Sequence, residues 1–117
     1  MFNSYIDCIK RVIVNNLGRE FLDDIDSRAF SMVMEPDAKR LASNFGLSKE
    51  DAAIVAVVSF LQDIKIHQYR TRPEGTDTLD ERYLDQRDIK ILSNLSLDAI
   101  EQSPFSNEFK RRIRAAR

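Results

Sequence analysis

Apolar residues near the start of the chain recur at three- and four-residue spacing, which predicts an amphipathic helix. They are Phe2, Ile6, Ile9, Ile13 and Leu17. Asn3 or Ser4 can cap the beginning of this helix through a side-chain oxygen. Gly18 follows the last apolar residue, where a residue with a positive φ ends many helices. We therefore expect a first helix from about Ser4 to Leu17.

Two further helices are predicted before Gly46. From Arg19 to Met34 the helical spacing continues, with Leu22, Ile25, Ala29, Met32 and Val33 facing inward. Pro36 suits the first turn of a helix, where its missing N–H is not needed. We therefore expect a separate, short third helix that begins near Pro36 and is closed by Gly46. Its inward residues would be Ala38, Leu41, Ala42 and Phe45.

The most apolar segment of the chain follows Ser48, which can cap a fourth helix. Asp51 adds a negative charge to the first turn, where the helix dipole favours it. From Ala52 to Ile66 the residues are apolar nearly all round the helix, which indicates burial on several sides. We expect this helix to end between Lys65 and Arg72.

The C-terminal part begins with a loop, because residues 73–77 read Pro-Glu-Gly-Thr-Asp. Asp88 to Leu92 alternates isoleucine with polar residues, as a short strand does. The alternatives for residues 73–95 are a loop alone, or a loop followed by a short β-hairpin or wing after residue 78. Ser96 can cap a short helix that runs through Ile100. Phe105, Phe109 and Ile113 are spaced as in a last amphipathic helix.

The predicted fold is mostly α, a small helical bundle. We expect a single domain over residues 1–117, with a helical core at 1–72, the loop or short strands at 73–95 and C-terminal helices at 96–117. A length of 117 residues, with 43% hydrophobic and 32% charged residues, is typical of one globular domain.

The charge of the chain and its lack of targeting signals restrict the cellular location and the partners that we expect. A net charge of −1 gives no overall field that attracts nucleic acid or anionic lipid. The single cysteine, Cys8, allows no internal disulfide and favours a reducing, cytoplasmic setting. The N-terminus lacks the pattern of a secretory signal. The apolar stretch from Ala52 to Leu61 is much shorter than the roughly 20 residues of a membrane span, so no span is predicted.

Few residues suggest catalysis. None of the three glycines belongs to a glycine-rich phosphate loop. Cys8 lies among apolar neighbours and is interpreted as a small buried residue. His67 follows Asp63 by four residues, so the two can pair on a helix, and a helix-end histidine that suits the dipole is the simpler interpretation. We expect no enzyme and no cofactor.

Acidic clusters do not predict a metal site. Asp23, Asp24 and Asp26 lack the glycine and glutamate spacing of an EF-hand. A second acidic group alternates with Arg82 and Arg87, which is typical of a solvated, salt-bridged face. Its members are Asp80, Glu81, Asp85 and Asp88.

The segment from Ala38 to Val58 has the pattern of a helix-turn-helix. Its inward, small and turn positions hold Leu41, Ala42, Phe45, Gly46 and Leu47, followed by Ala52 and Val55 in the second helix. The positions that would read DNA are Ser48, Lys49, Glu50, Ala53 and Ile54, with Asp51 beside them. Glu50 and Asp51 would face a polyanion, which is unfavourable unless they read a cytosine, and Ala53 and Ile54 are apolar. We therefore interpret the second helix as packing against protein.

Leu41 to Asp63 contains Phe45-Gly46-Leu47-Ser48, an acidic turn and an apolar helix. This stretch resembles part of the winged-helix-like N-terminal domain of some bacterial AAA+ ATPases, although the chain carries no Walker motif. The resemblance covers about a fifth of the chain. It implies a non-catalytic domain that engages a partner or substrate for an ATPase module elsewhere.

The last segment, Asn107 to Arg117, is basic on one side and apolar on the other. Contact with phosphates, a membrane surface or an acidic partner fits this composition, and so does a terminal helix that packs its apolar stripe and solvates its charges. The candidate interaction residues, with the aromatic ones conditional on exposure, are Arg70, Arg72, Tyr83, Phe105, Phe109, Lys110, Arg111, Arg112 and Arg114.

Two functional hypotheses follow. The first is a non-enzymatic protein-interaction domain, regulatory or adaptor-like, with a protein partner or self-association. One possible setting for such a domain is as an accessory domain of a larger ATPase. The alternative is a nucleic-acid-binding regulator. Its basic residues would be Lys49, Arg70, Arg72, Arg111, Arg112 and Arg114.

Overall fold

A computed structural model describes residues 4–23, 27–69, 81–103 and 105–117. Over these residues the protein is helical and contains no strand, so the predicted helical bundle is confirmed. The helices are α1 (Tyr5–Leu17), α2 (Glu20–Asp23), α3 (Ser27–Phe45), α4 (Lys49–Tyr69), a short 3-10 helix (Glu81–Tyr83), α5 (Gln86–Leu92), α6 (Leu97–Gln102) and α7 (Asn107–Ala115). The chain divides into two compact units, Met1–Val57 and Val58–Arg117. The prediction of a single domain therefore stays a prediction.

The first unit is built on α1, which packs against α2 and α3. Ser4 caps α1, because its Oγ accepts a hydrogen bond from the Asp7 N–H at 3.1 Å. Gly18 ends the helix with a φ of 94°, and its N–H bonds the carbonyls of the preceding turn. Both predicted ends are confirmed. The inward stripe of α1 buries Cys8, Ile9, Val12 and Ile13.

Helix α3 runs through Pro36 without a break, so the predicted helix boundary there is wrong. Proline lacks the N–H that would bond the carbonyl of Met32, which costs one backbone hydrogen bond. Met34 and Ala38 lie on the same side of the helix, one turn apart, and both are buried. Burial on both sides of the proline offsets the lost bond and keeps the helix in one piece.

The predicted helix over residues 19–34 is likewise two elements, α2 and the first part of α3. The predicted closure of α3 at Gly46 is confirmed, since this glycine has a φ of 66°.

Helix α4 begins and ends as predicted. The Ser48 Oγ accepts a hydrogen bond from the Asp51 N–H and donates one to the Asp51 carboxylate, both at 3.1 Å. The residues from Ala52 to Val58 are all buried, two full turns with no exposed side. This confirms burial on several sides, and the last residue, Tyr69, lies within the predicted range.

The predicted strand at Asp88 to Leu92 is wrong, because these residues belong to α5. Asp85 begins the helix with a capping box: its carboxylate accepts from the Asp88 N–H at 3.0 Å, and the Asp88 carboxylate accepts from the Asp85 N–H at 3.1 Å. The helix then buries Ile89, Ile91 and Leu92. No strand occurs in residues 81–103, and residues 79 and 80 of the predicted wing lie outside the described residues.

Two more serine caps order the end of the chain. Ser96 accepts from the Ala99 N–H at 3.1 Å and begins α6, as predicted. Ser106 accepts from the Phe109 N–H at 3.2 Å and begins α7. Helix α7 packs against α5 and α6, and its stripe of Phe109 and Ile113 is buried. The predicted last amphipathic helix is confirmed.

Asp85→Ala is expected to lower the free energy of unfolding by about 1 kcal/mol, because the first turn of α5 loses its cap. Asp85→Asn keeps an oxygen acceptor and should retain most of that stability. Urea denaturation of the two variants and the wild type measures the difference. No loss for the alanine variant would show that the cap contributes nothing.

Candidate functional site

Helix α3 exposes an unusual pair of adjacent apolar residues. Met32 is 57% exposed and Val33 is 61% exposed. Pro36 and Ser43 are also exposed, and their spacing places them on the same side of the helix. The opposite side carries Met34 and Ala38, which are buried. We call the apolar residues Met32, Val33 and Pro36, together with the small Ser43, the α3 face.

The α3 face corrects the sequence prediction, which placed Met32 and Val33 inward. The spacing used there assumed a helix that stopped before Pro36. Because α3 continues through the proline, Met34 and Ala38 set the inward side and turn the preceding pair outward. The exposure of Met32 and Val33 therefore cannot be predicted without knowing that α3 is one continuous helix.

Two ion pairs lie along the same stretch of α3. Lys39 Nζ is 2.9 Å from a Glu35 carboxylate oxygen, one turn earlier. Arg40 is 2.9 Å from an Asp37 carboxylate oxygen, three residues earlier. All four side chains keep part of their surface in water, so these pairs add little to stability. They place two acidic residues followed by two basic ones along the flanks of the α3 face, with no net charge.

Two of the four basic residues of α7, and Arg117 beyond its end, are engaged within their own unit. Lys110 Nζ donates to the Glu101 carbonyl at 2.9 Å, and Arg114 pairs with the Glu101 carboxylate at 3.0 Å. Arg117 donates to the Leu95 carbonyl. These contacts join α7 to α6 and the turn before it.

Two arginines of α7 remain more open. The Arg112 guanidinium lies 5.6 Å from the centroid of the Phe109 ring, a cation–π contact. Arg111 is exposed and forms no ion pair with any described residue. The open basic surface of α7 is thus much smaller than its composition indicates.

The predicted aromatic contacts separate into buried and exposed residues. Phe105 is 6% exposed and Phe109 is 3% exposed, and their ring centroids lie 5.1 Å apart. Their contact role was conditional on exposure, so the prediction is corrected for both, because they are core residues. Phe109 lies on the apolar stripe of α7, and Phe105 packs beside it from the segment just before the helix begins. Tyr83 is 37% exposed, with the Arg82 guanidinium 5.7 Å from its ring centroid. Arg70 and Arg72 lie outside the described residues.

Acidic residues near the second unit's first helices serve as caps. The Glu81 carboxylate accepts hydrogen bonds from the Ser106 N–H at 2.6 Å and the Ser106 Oγ at 2.9 Å. Asp85 and Asp88 form the α5 capping box. No group of three histidine, cysteine or acidic side chains among the described residues is placed to hold a metal ion. Asp24 and Asp26, and the side chains of Asp23, Asp63 and His67, lie outside the described residues.

Cys8 is buried on α1, and this burial raises the pKa of its thiol, with a smaller contribution from the Glu50 carboxylate. Both effects lower the amount of accessible thiolate, the form that reacts. We expect a thiol reagent at pH 8 to label the folded protein at least ~100-fold more slowly than the urea-unfolded protein. Absorbance of the released chromophore measures both rates, and similar rates would contradict the buried placement.

The helix-turn-helix assignment stays a prediction. The linker from Gly46 to Ser48 joins α3 to α4, and the predicted inward residues Ala52 and Val55 are buried. Ala53 and Ile54, which would belong to a DNA-reading side, are buried as well. In this structure they are core residues, as the interpretation of α4 as a protein-packed helix requires.

These features define a small all-α protein whose described surface carries a largely apolar face on α3 and a partly engaged basic helix at α7. Among the described helices, none is both long and apolar enough to cross a membrane. No protein-family model, curated protein or solved structure matches the chain. The resemblance to AAA+ N-terminal domains stays a prediction.

Proposed function

We propose that this chain is a non-enzymatic protein-interaction module, regulatory or adaptor-like, that binds its partner through the α3 face. The observation that carries the proposal is the exposure of Met32 and Val33, side by side on a helix whose opposite side buries Met34 and Ala38. Complete burial of one such side chain is worth about 1.5–3 kcal/mol. Two of them supply a driving force for association that the folded monomer leaves unused.

The charges of the α3 face fit a protein partner better than a polyanion. Lys39 and Arg40 each have a carboxylate within 2.9 Å, so they present no concentrated positive field. The nucleic-acid alternative depends on α7, where Lys110 and Arg114 contact Glu101. Phosphate contacts there would compete with these contacts to Glu101. Protein interaction is therefore the function we favour.

The resemblance to N-terminal domains of AAA+ ATPases implies the same class of role. A domain of that kind recruits partners or substrates for a motor located elsewhere. An accessory role beside a larger ATPase is thus one setting for the proposed module, and the α3 face would be its contact surface.

A photo-crosslinking amino acid at position 33 tests this proposal in cells that make the protein. The matched control carries the same group at Asn15, which is exposed on α1 in the same unit. We expect crosslinked products from position 33 and far fewer from position 15. Products should also disappear when Met32→Ser is added to the position-33 variant. Equal crosslinking at both positions, or none at either, would contradict a binding role for the α3 face.

A further inference from the structure

We propose that the α3 face binds a second copy of this chain, with the two α3 helices antiparallel. This inference rests on the proposed function, because it names the partner of the same surface. It comes from the order of residues along α3, where large apolar residues, acids, bases and a small residue follow one another. When a second copy of the helix runs in the opposite direction, acids come near bases and the large residue comes near the small one.

The charges give the first argument. In a two-fold symmetric antiparallel pair, residues equally far before and after the axis are level with each other, and those on the same flank come into contact. With the axis between Asp37 and Ala38, Glu35 lies about 4 Å before it and Arg40 about 4 Å after it, at a rise of 1.5 Å per residue. Five residues turn the helix by about 140°, so Glu35 and Arg40 lie on opposite flanks of the interface. On the flank of Glu35 the other copy presents Lys39, offset by about 1.5 Å along the axis. On the flank of Asp37 it presents Arg40, offset by about 3 Å. A parallel pair would instead place acids level with acids.

The sizes of the side chains give a second argument with the same axis. Met32 lies about 8 Å before the axis and Ser43 about 8 Å after it, again from the helical rise. The largest exposed side chain of the face is thus level with its smallest in the other copy. Large residues facing small ones allow two helices to interdigitate. One register therefore satisfies both charge and size.

The ion pairs within each copy do not oppose this arrangement. Lys39 and Arg40 are 58% and 45% exposed along their side chains, so both can be reached by a carboxylate of the other copy. Ion pairs on the surface contribute little to the stability of the monomer. Little stability is therefore lost when these side chains also contact the other copy. One helical face is a small interface, so we expect a weak dimer whose population depends on concentration.

Sedimentation equilibrium from ~5 to ~500 µM tests the proposal with charge variants. Lys39→Glu with Arg40→Glu makes the face entirely acidic, and Glu35→Lys with Asp37→Lys makes it entirely basic. The wild type should dimerise with rising concentration, and each variant alone should have a dissociation constant at least ~10-fold higher. An equimolar mixture of the two variants should form a heterodimer.

The matched control is Lys90→Glu with Arg111→Glu, which gives the same change in net charge as the acidic variant on exposed positions of α5 and α7. It should dimerise as the wild type does. Ser43→Gln provides an independent test, because glutamine is tolerated at an exposed helical position and yet fills the space opposite Met32. It should raise the dissociation constant at least ~10-fold while leaving the circular dichroism spectrum unchanged. Ser43→Ala keeps the residue small and should dimerise at least as well as the wild type.

A wild type that remains monomeric across the range overturns the inference, and so does dimerisation of either charge variant at wild-type strength. A homodimer that fails to form leaves the proposed function standing if position 33 still crosslinks to a different protein. Loss of both the dimer and the crosslinks would remove both proposals.

Discussion

Ile113→Ala is expected to lower the free energy of unfolding by about 2–5 kcal/mol, the usual cost of a large-to-small change in a packed core. Ile113 has no exposed surface and lies on α7, which packs against both α5 and α6. The lost side chain leaves a cavity beside Phe109, one turn away on the same stripe. Urea denaturation followed by far-UV circular dichroism measures the change by linear extrapolation.

Arg111→Ala provides the matched control for this prediction. It lies on the same helix, is exposed and forms no ion pair with a described residue. We expect its free energy of unfolding to stay within ~0.5 kcal/mol of the wild type. A loss below ~1 kcal/mol for Ile113→Ala would mean that α7 is not packed on the second unit as described.

The helix ends were the most predictable part of the fold, because each depends on residues close in sequence. Ser48 and Ser96 cap helices through backbone N–H groups three residues away. Gly18 and Gly46 end helices with a positive φ, which glycine adopts without steric cost. Such contacts need no tertiary packing, so the sequence pattern alone identifies them.

The helix interiors were less predictable, because tertiary packing decides whether a helix continues and which of its sides is buried. Pro36 predicts a boundary by local rules, and only the burial of Met34 and Ala38 shows why α3 continues. Ile89 and Ile91 are two residues apart, a spacing that a short helix can also bury. The deciding signal was Asp85 with Asp88 three positions on, an acidic variant of the capping box that could have been recognised from the sequence.

The candidate surfaces depended on packing even more strongly. Composition shows that α7 is basic, but it does not show that Glu101 engages Lys110 and Arg114. Glu101 precedes them by nine and thirteen residues, beyond the range of helical spacing rules. The α3 face was missed for a related reason, since the outward direction of Met32 and Val33 follows from a helix that sequence rules divide in two.

Ile13→Ala is expected to lower the free energy of unfolding by about 2–5 kcal/mol as well, because Ile13 is fully buried on α1, the helix that packs against α2 and α3. This variant also tests the prediction of a single domain. Helix α4 is continuous from Lys49 to Tyr69 and includes the division between the units at Val57 and Val58. Since separate unfolding would break that helix, we expect the two units to unfold together.

Hydrogen exchange measured by mass spectrometry distinguishes the two cases. If unfolding is cooperative, Ile13→Ala lowers the protection of the slowest amides in α7 as much as in α1. The conservative variant Ile13→Val should have a smaller effect, about 0.5–1.5 kcal/mol, in the same two helices. Protection lost in α1 alone would show two independently unfolding units and would contradict the single domain. The α3 face would then belong to a unit whose stability does not depend on α7. Binding of a partner to the α3 face would stabilise the first unit only and would not change the stability of α7.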